Sequence, residues 1–154
     1  MSKEVAGTSQ DTAGLFRFFN EIAIVAQLSG NAFEKAMPEG MTLPQFAVLN
    51  HLMRVGGQRT PVQIASAMQV TKGTMTNTLQ HLDRAGFVST TPDATDGRSK
   101  RIDITEAGRS MHRDAIASIA PLLTDLAVIF PSKRVAEALH LLEDVRKELD
   151  GRRG

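Results

Sequence analysis

The chain of 154 residues contains no cysteine. This absence excludes disulfide bonds, thiol-based redox sensing and cysteine-ligated zinc. The sequence also lacks an apolar run of about 18 residues, so we expect no membrane span. Its polar first residues contain no apolar signal core, and we therefore expect a cytoplasmic protein with no membrane partner.

Sequence signatures of catalysis are absent as well. We find no nucleophile elbow, no phosphate-binding glycine loop and no zinc-protease helix. No two of the histidines have the spacing of metal ligands on one predicted helix; they are His51, His81, His112 and His140. We therefore expect neither an enzyme nor a bound metal or cofactor.

The net charge of +1 conceals an uneven distribution of charge along the chain. Residues 1–53 carry three Lys/Arg and five Asp/Glu, a balance of −2. Residues 54–113 carry nine and five, a balance of +4, and residues 114–154 carry six and seven, a balance of −1. A clustered basic segment is typical of nucleic-acid binding, although a solvated surface with scattered charge is the alternative.

The central part of the chain predicts two short helices followed by a hairpin. Thr60 and Pro61 form a strong helix start, a capping hydroxyl before a proline at the first helical position. Thr71 begins a second helix, in which Met75, Leu79 and Leu82 share one face. Residues 87–104 then read as two strands around a turn rich in Pro, Asp and Gly. This order of elements is a winged helix-turn-helix, so the predicted fold is mainly α with a small β-hairpin wing, of the α+β class.

Long helices are predicted on both sides of this segment. Residues 15–37 have a wide apolar stripe, and residues 42–55 form a further helix before Gly56 and Gly57. The helix that begins at residues 105–106 should be kinked or split at Pro121, and a last helix spans residues 132–149. We expect the tail from residue 150 to be disordered. Because a winged helix is too small to cover these stripes, we expect them to pack on each other and on a second copy of the chain.

The sequence resembles the MarR family, the bacterial winged-helix regulators named for multiple antibiotic resistance. Four local patterns carry the resemblance, in this order and spacing: LPQFAVLNHL at residues 43–52, the helix pair at residues 60–88, DGRSKRIDIT at residues 96–105 and TEAG at residues 105–108. The resemblance implies one protomer over residues 1–154, with dimerisation helices at residues 11–37 and 106–149 and a DNA-binding lobe at residues 42–105. It also implies a homodimer that binds a pseudo-palindromic operator and usually represses nearby genes.

Residues of two groups are candidates for contact with double-stranded DNA. Their side chains are of the types that bind phosphates and base edges. On the second helix they are Thr71, Lys72, Thr74, Thr76, Asn77 and Arg84, and at the wing they are Arg98, Lys100 and Arg101. The resemblance adds that Arg98 reaches the minor groove, that Asp96 supports the wing, and that Arg84 contacts phosphate or pairs with Asp96.

The resemblance further implies that a small molecule often relieves DNA binding. We expect a cleft between the dimer helices and the winged helix, lined in part by Phe19, Phe46 and His51. Such a lining favours a small aromatic or phenolic effector, with His51 as a polar partner. Two alternatives remain open at this point: these side chains complete the core instead, or the protein is a constitutive DNA-binding, architectural protein with no effector.

Overall fold

The computed structural model describes residues 2–95 and 97–153, with side chains from Ser9 onward. The order of elements is α1 (Ser2–Ala36), α2 (Leu43–Val55), α3 (Pro61–Met68), α4 (Lys72–Arg84), β1 (Val88–Pro92), β2 (Lys100–Ile104), α5 (Glu106–Ile129) and α6 (Ser132–Gly151). The fold is mainly helical with a two-stranded antiparallel hairpin, which confirms the fold class predicted from the sequence.

Local capping determines where the three short helices begin. Thr42 and Thr60 each form a capping box, with Gln45 and Gln63 respectively, and a proline follows each of them in the first turn. The Thr71 side chain accepts a hydrogen bond from the backbone N–H of Thr74, so it caps α4. Each cap satisfies backbone donors that the first turn of a helix leaves unpaired. The helix starts predicted from these residues are therefore confirmed.

The wing is a regular hairpin that is attached to the loop before α3. Val88 pairs with Ile104 and Pro92 with Lys100. Arg59 adds an isolated bridge on the other edge of β2, where its backbone exchanges two hydrogen bonds with Ile102. Pro92, which the sequence predicts in the turn, is the last residue of β1. A proline is tolerated there because strand ends need fewer backbone donors.

One apolar core joins α2, α3, α4 and the hairpin to the first half of α5. Its largest fully buried side chains are Leu49, Leu52, Ile64, Leu82, Ile102 and Val48. Helix α5 starts against the base of the hairpin, since the Thr105 hydroxyl donates to the Gly86 carbonyl and also caps the helix at Gly108. Gly86 follows the end of α4 with φ +78°, the left-handed conformation that glycine adopts most easily.

The long helices differ from their predicted limits. Helix α1 begins at Ser2 rather than at residue 15, because a polar segment without proline continues the helix beyond its apolar stripe. Helix α5 is continuous through Pro121, so the predicted split does not occur. The predicted disorder of the tail is wrong for residues 150–153. Helix α6 runs to Gly151, and Arg152 beyond it pairs with Glu148.

Large apolar side chains are exposed on the three long helices. Exposed residues include Leu15, Phe16, Val25 and Leu28 on α1, Leu123, Leu126, Val128 and Ile129 on α5, and Val135, Leu139, Leu141, Leu142 and Leu149 on α6. Among the described residues, no single helix is long and apolar enough to cross a membrane. Helices α5 and α6 meet that length and composition only as a pair bent by 103°.

Candidate nucleic-acid interface

Helix α4 has one buried face and one exposed polar face. Met75, Thr78, Leu79 and Leu82 are buried against the lobe. All six of the residues predicted for DNA contact on or beside this helix are exposed: Thr71, Lys72, Thr74, Thr76, Asn77 and Arg84. The helix is therefore held from one side and presents the other to solvent, as an element that enters a DNA groove must be.

The threonine hydroxyls of α4 are engaged within the helix itself. The Thr71 and Thr74 hydroxyls lie 2.9 Å apart, and the Thr76 hydroxyl donates to the Lys72 carbonyl at 2.9 Å. A hydroxyl has one hydrogen to donate and two lone pairs. Thr76 therefore offers DNA a methyl group and an acceptor, but no free donor.

A stripe of four residues lies farthest from the buried face of α4. Gly73, Asn77, Gln80 and Arg84 recur at spacings of four, three and four, and all are exposed. Asn77 lies between Met75 and Leu79 in sequence, two residues from each, and so projects from the opposite side of the helix. Gln80 was missed as a candidate from the sequence, although its spacing of three from Asn77 would have identified it.

The wing tip presents further cationic side chains. Arg98 and Lys100 are exposed, while Arg101 on β2 is partly buried. Arg101 Nε lies 3.2 Å from the Asp93 carboxylate, so Arg101 is held within the hairpin. Asp96, the residue predicted to support the wing and to pair with Arg84, lies outside the described residues.

Asp93 organises the described part of the turn. Its Oδ1 atom accepts hydrogen bonds from both the backbone N–H and the hydroxyl of Thr95. The backbone hydrogen bond from Thr95 is the main cause that lowers the pKa of Asp93, and the Thr95 hydroxyl and Arg101 lower it further against the opposing effect of burial. Asp93 is therefore ionised at neutral pH and fixes both the turn and Arg101.

The three residues predicted for an effector cleft occupy separate environments. Phe46 on α2 stacks on His112 of α5, with ring centroids 5.5 Å apart and planes within 2°. The His112 Nε2 atom also lies 3.0 Å from Asn50 Oδ1, so this contact joins α5 to α2. Phe19 is 40% exposed on α1, where it meets Phe18 edge to face.

His51 lies in the core rather than at a surface. Its side chain is buried, and its Nδ1 atom has no hydrogen-bond partner among the described residues. Burial is the main cause that lowers the pKa of His51, and the charges of Arg54 and Arg59 lower it further. Among the described residues, no group of three or more His, Cys, Asp or Glu side chains could hold a metal ion.

An apolar cleft opens at a different place from the predicted effector cleft. It has a volume of about 270 Å³ and lies between the start of α2 and the buried side of α4. Its lining includes Leu43, Pro44, Met68, Val70 and Met75. Phe19, Phe46 and His51 are not among the residues that line it.

The sequence of this chain is similar to those of known transcription regulators. The sequence profile of the MarR family matches residues 39–99, which span α2 to the wing tip. The transcriptional activatory protein BadR of Rhodopseudomonas palustris is 26% identical over 123 residues, which cover 75% of this chain and 70% of BadR.

Solved structures extend the likeness over most of the chain. A cysteine-to-serine mutant of E. coli MarR, crystallised with operator DNA, is 25% identical, with a TM-score of 0.76 over 86% of this chain and 95% of MarR. The PcaV regulator of Streptomyces coelicolor, crystallised with its natural ligand, is 21% identical. Its TM-score is 0.74 over 82% of this chain and 89% of PcaV, a likeness in fold.

Proposed function

Because this chain belongs to the MarR family of DNA-binding, winged-helix transcription regulators, we propose that it is a homodimer that binds a pseudo-palindromic operator and represses nearby genes. In this proposal α4 enters the major groove and the wing tip approaches the adjacent minor groove. The observation that carries it is the exposed polar face of α4 beside a cationic wing. Both lie on the segment of the chain with a charge balance of +4.

Each predicted contact residue takes a role that suits its chemistry. Asn77 reads a base edge, and Thr74 and Thr76 offer methyl groups to thymine. Lys72, Arg84 and Lys100 bind phosphates, and Arg98 enters the minor groove, whose negative potential attracts arginine. Thr71 contributes as the cap of α4. Arg101 acts mainly through the shape of the wing, since Asp93 holds its guanidinium.

The proposed division of the chain follows from where its apolar surface lies. Residues 42–105 form the DNA-binding lobe, and residues 11–37 and 106–149 form the dimer. The exposed apolar side chains of α1, α5 and α6 support this assignment, because a folded monomer rarely leaves so large an apolar surface in water. In such a dimer, twofold symmetry relates the two α4 helices, and each enters one of two successive major grooves whose centres are about 34 Å apart.

Regulation by a small aromatic or phenolic effector completes the proposal. The effector would bind between the dimer helices and the lobe, near Phe46, His51 and Phe19, and favour a spacing of the α4 helices that does not fit DNA. The crystal structure of PcaV with its natural ligand supports an effector in this fold. The competing function is a constitutive DNA-binding protein with no effector, which would share every DNA-binding feature.

The sign of regulation needs its own measurement, because BadR is named as an activatory protein. Transcription from a bound promoter, with and without this chain, distinguishes repression from activation. A lower transcript level in the presence of the protein supports repression, and a higher level shows that the protein is an activator.

Selection of bound fragments from genomic DNA tests the proposed function directly. We expect recovered fragments to share a pseudo-palindrome of roughly 16–20 base pairs. The affinity for such a duplex should fall steeply with salt, since each neutralised phosphate releases counterions. A binding constant that stays constant from low to moderate salt would contradict the basic interface, and recovery of unrelated fragments would contradict sequence-specific binding.

A further inference from the structure

The outward stripe of α4 contains two side-chain carboxamides one turn apart. Asn77 and Gln80 are both exposed, at a spacing of three, so they lie side by side on the helix surface. Among the described residues, neither side chain makes a hydrogen bond, whereas the hydroxyls of Thr71, Thr74 and Thr76 are all engaged within α4. The carboxamides therefore each retain a donor and an acceptor, whereas Thr76 has no free donor and one of Thr71 and Thr74 donates to the other.

Gly73 begins the same stripe and is not required by the fold. A Cβ atom at Gly73 would meet no atom of the chain within 4 Å, and the residue sits in a helix, where glycine is unfavourable. By contrast, Gly108 packs so tightly that a Cβ atom would lie 2.1 Å from the Phe87 carbonyl oxygen. The space above Gly73 is therefore available to a binding partner that approaches the backbone of α4 closely.

We propose that Gln80, together with Asn77, determines the base specificity of this protein by reading adenines in the major groove. The inference rests on the proposed function, in which α4 enters that groove. A carboxamide accepts from adenine N6 and donates to N7 at the same time, a pairing that no other base offers in the same geometry. Gly73 lets the helix backbone approach the bases, and Arg84 at the end of the stripe is placed for phosphate.

The stripe predicts an operator in which each half-site contains A·T pairs at the positions under α4. A two-point contact between one carboxamide and adenine discriminates against other bases by about 5- to 150-fold. Gln80 and Asn77 should therefore each specify one position. The threonines should contribute less discrimination, because the Thr76 hydroxyl donates to the Lys72 carbonyl and one of the Thr71 and Thr74 hydroxyls donates to the other.

Selection from a randomised duplex library tests this inference with the full-length protein. The wild-type chain, Gln80→Ala, Asn77→Ala and the matched control Gln10→Ala, an exposed glutamine of α1, are each used to select bound sequences. We expect Gln80→Ala to lose its preference at one A·T pair per half-site, by about 5- to 150-fold, and to retain the others. Asn77→Ala should lose a different pair, and Gln10→Ala should select the wild-type sequence.

The outcomes separate this inference from the proposed function. If the wild-type chain selects a defined operator and Gln80→Ala selects it with the same preferences, the role of Gln80 is overturned while the proposed function stands. A wild-type operator with G·C pairs throughout the α4 positions overturns it too. If the wild-type chain selects no sequence at all, the proposed function itself fails. Circular dichroism of each variant confirms that the substitution leaves the fold intact.

Discussion

Arg101 Nε and the Asp93 carboxylate meet at 3.2 Å, close to the tip of the wing. The Asp93 side chain is only 10% exposed, and its other oxygen is bound to Thr95. Arg101 is thus partly buried and held by Asp93, whereas Arg98 and Lys100 lie on the exposed surface of the wing. The cationic residues of the wing are therefore not equivalent.

Substitution of these cationic residues of the wing should therefore reduce DNA affinity by different amounts. Arg98→Ala should weaken specific binding by about 1–3 kcal/mol, the range for loss of a good groove contact. Arg101→Ala should weaken it less, since Asp93 already neutralises part of the charge of Arg101. Titration of a fluorescent operator measures both, with Arg152→Ala on the C-terminal tail as a control. Equal losses for Arg98→Ala and Arg152→Ala, with normal circular dichroism, would place the contact elsewhere.

Gly108→Ala should destabilise the lobe. The new Cβ atom would lie 2.1 Å from the Phe87 carbonyl oxygen and 2.8 Å from Ile104 Cγ1, so α5 must move away from the hairpin. Overpacking of this kind costs about 1–3 kcal/mol. Gly14→Ala on α1 is the matched control, because its Cβ atom meets nothing within 4 Å and should stabilise the helix slightly. Urea denaturation checks both, and equal stability of the two variants would refute the close contact.

Stability should decrease as the pH falls below about 6.5. Burial lowers the pKa of both His51 and His112 below 6.5, the ordinary value that the unfolded chain regains. Unfolding then takes up protons between the two values, so the free energy of unfolding is highest above pH 6.5 and falls towards the lowered pKa. His51→Gln should flatten this dependence in denaturation at about pH 7.5 and pH 5.5, whereas His140→Gln on exposed α6 should retain it. A steeper fall in His51→Gln would contradict the assignment.

The protein should be a homodimer at micromolar concentration. Sedimentation equilibrium should give twice the protomer mass of 16.7 kDa. Joint replacement of Leu139 and Leu142 by Glu should produce monomers, because it places charges on the apolar surface of α6. Val62→Glu, at an exposed position on α3 outside the long helices, should remain dimeric. A wild-type species of 16.7 kDa alone would be incompatible with the proposed dimer.

Aromatic carboxylates and phenols should release the protein from DNA. A ligand that prefers the DNA-incompetent arrangement a hundredfold supplies about 2.7 kcal/mol of coupling. Phe46→Ala should weaken this effect, since the stack on His112 joins α2 to α5. The measurement is a titration of a compound panel against the protein–operator complex. If no compound displaces DNA or raises the melting temperature, the constitutive DNA-binding function becomes the better proposal.

Predictions that depend on local chemistry were the most accurate. The starts of α2, α3 and α4 follow from Thr42, Thr60 and Thr71, because a cap acts within its own helical turn. The limits of the long helices were less accurate. A polar segment extends α1 to Ser2, and residues 150 and 151 extend α6, since a helix can propagate past the apolar stripe that marks it in a sequence.

The features of the candidate site also separate into those that local sequence predicts and those that depend on packing. Residue types and spacing identify α4 and the wing as the charged, exposed part of the lobe. They do not reveal that the threonine hydroxyls bond within α4, that Asp93 holds Arg101, or that His51 is buried while Phe46 stacks on His112. Such contacts depend on the direction of each side chain and on packing between residues that are distant in sequence, which residue spacing does not give.

Local sequence patterns account for the order and type of the elements, the winged helix-turn-helix and the distribution of charge. Each of these depends on residues within a few positions of one another, where capping, periodicity and turn chemistry act. Hydrogen bonding depends on which side chains lie opposite one another, so the packed lobe was needed to show which side chains of α4 keep unpaired donors. Helical spacing alone places Gln80 on the outward face of α4, and the structure adds that its carboxamide is exposed and makes no hydrogen bond among the described residues.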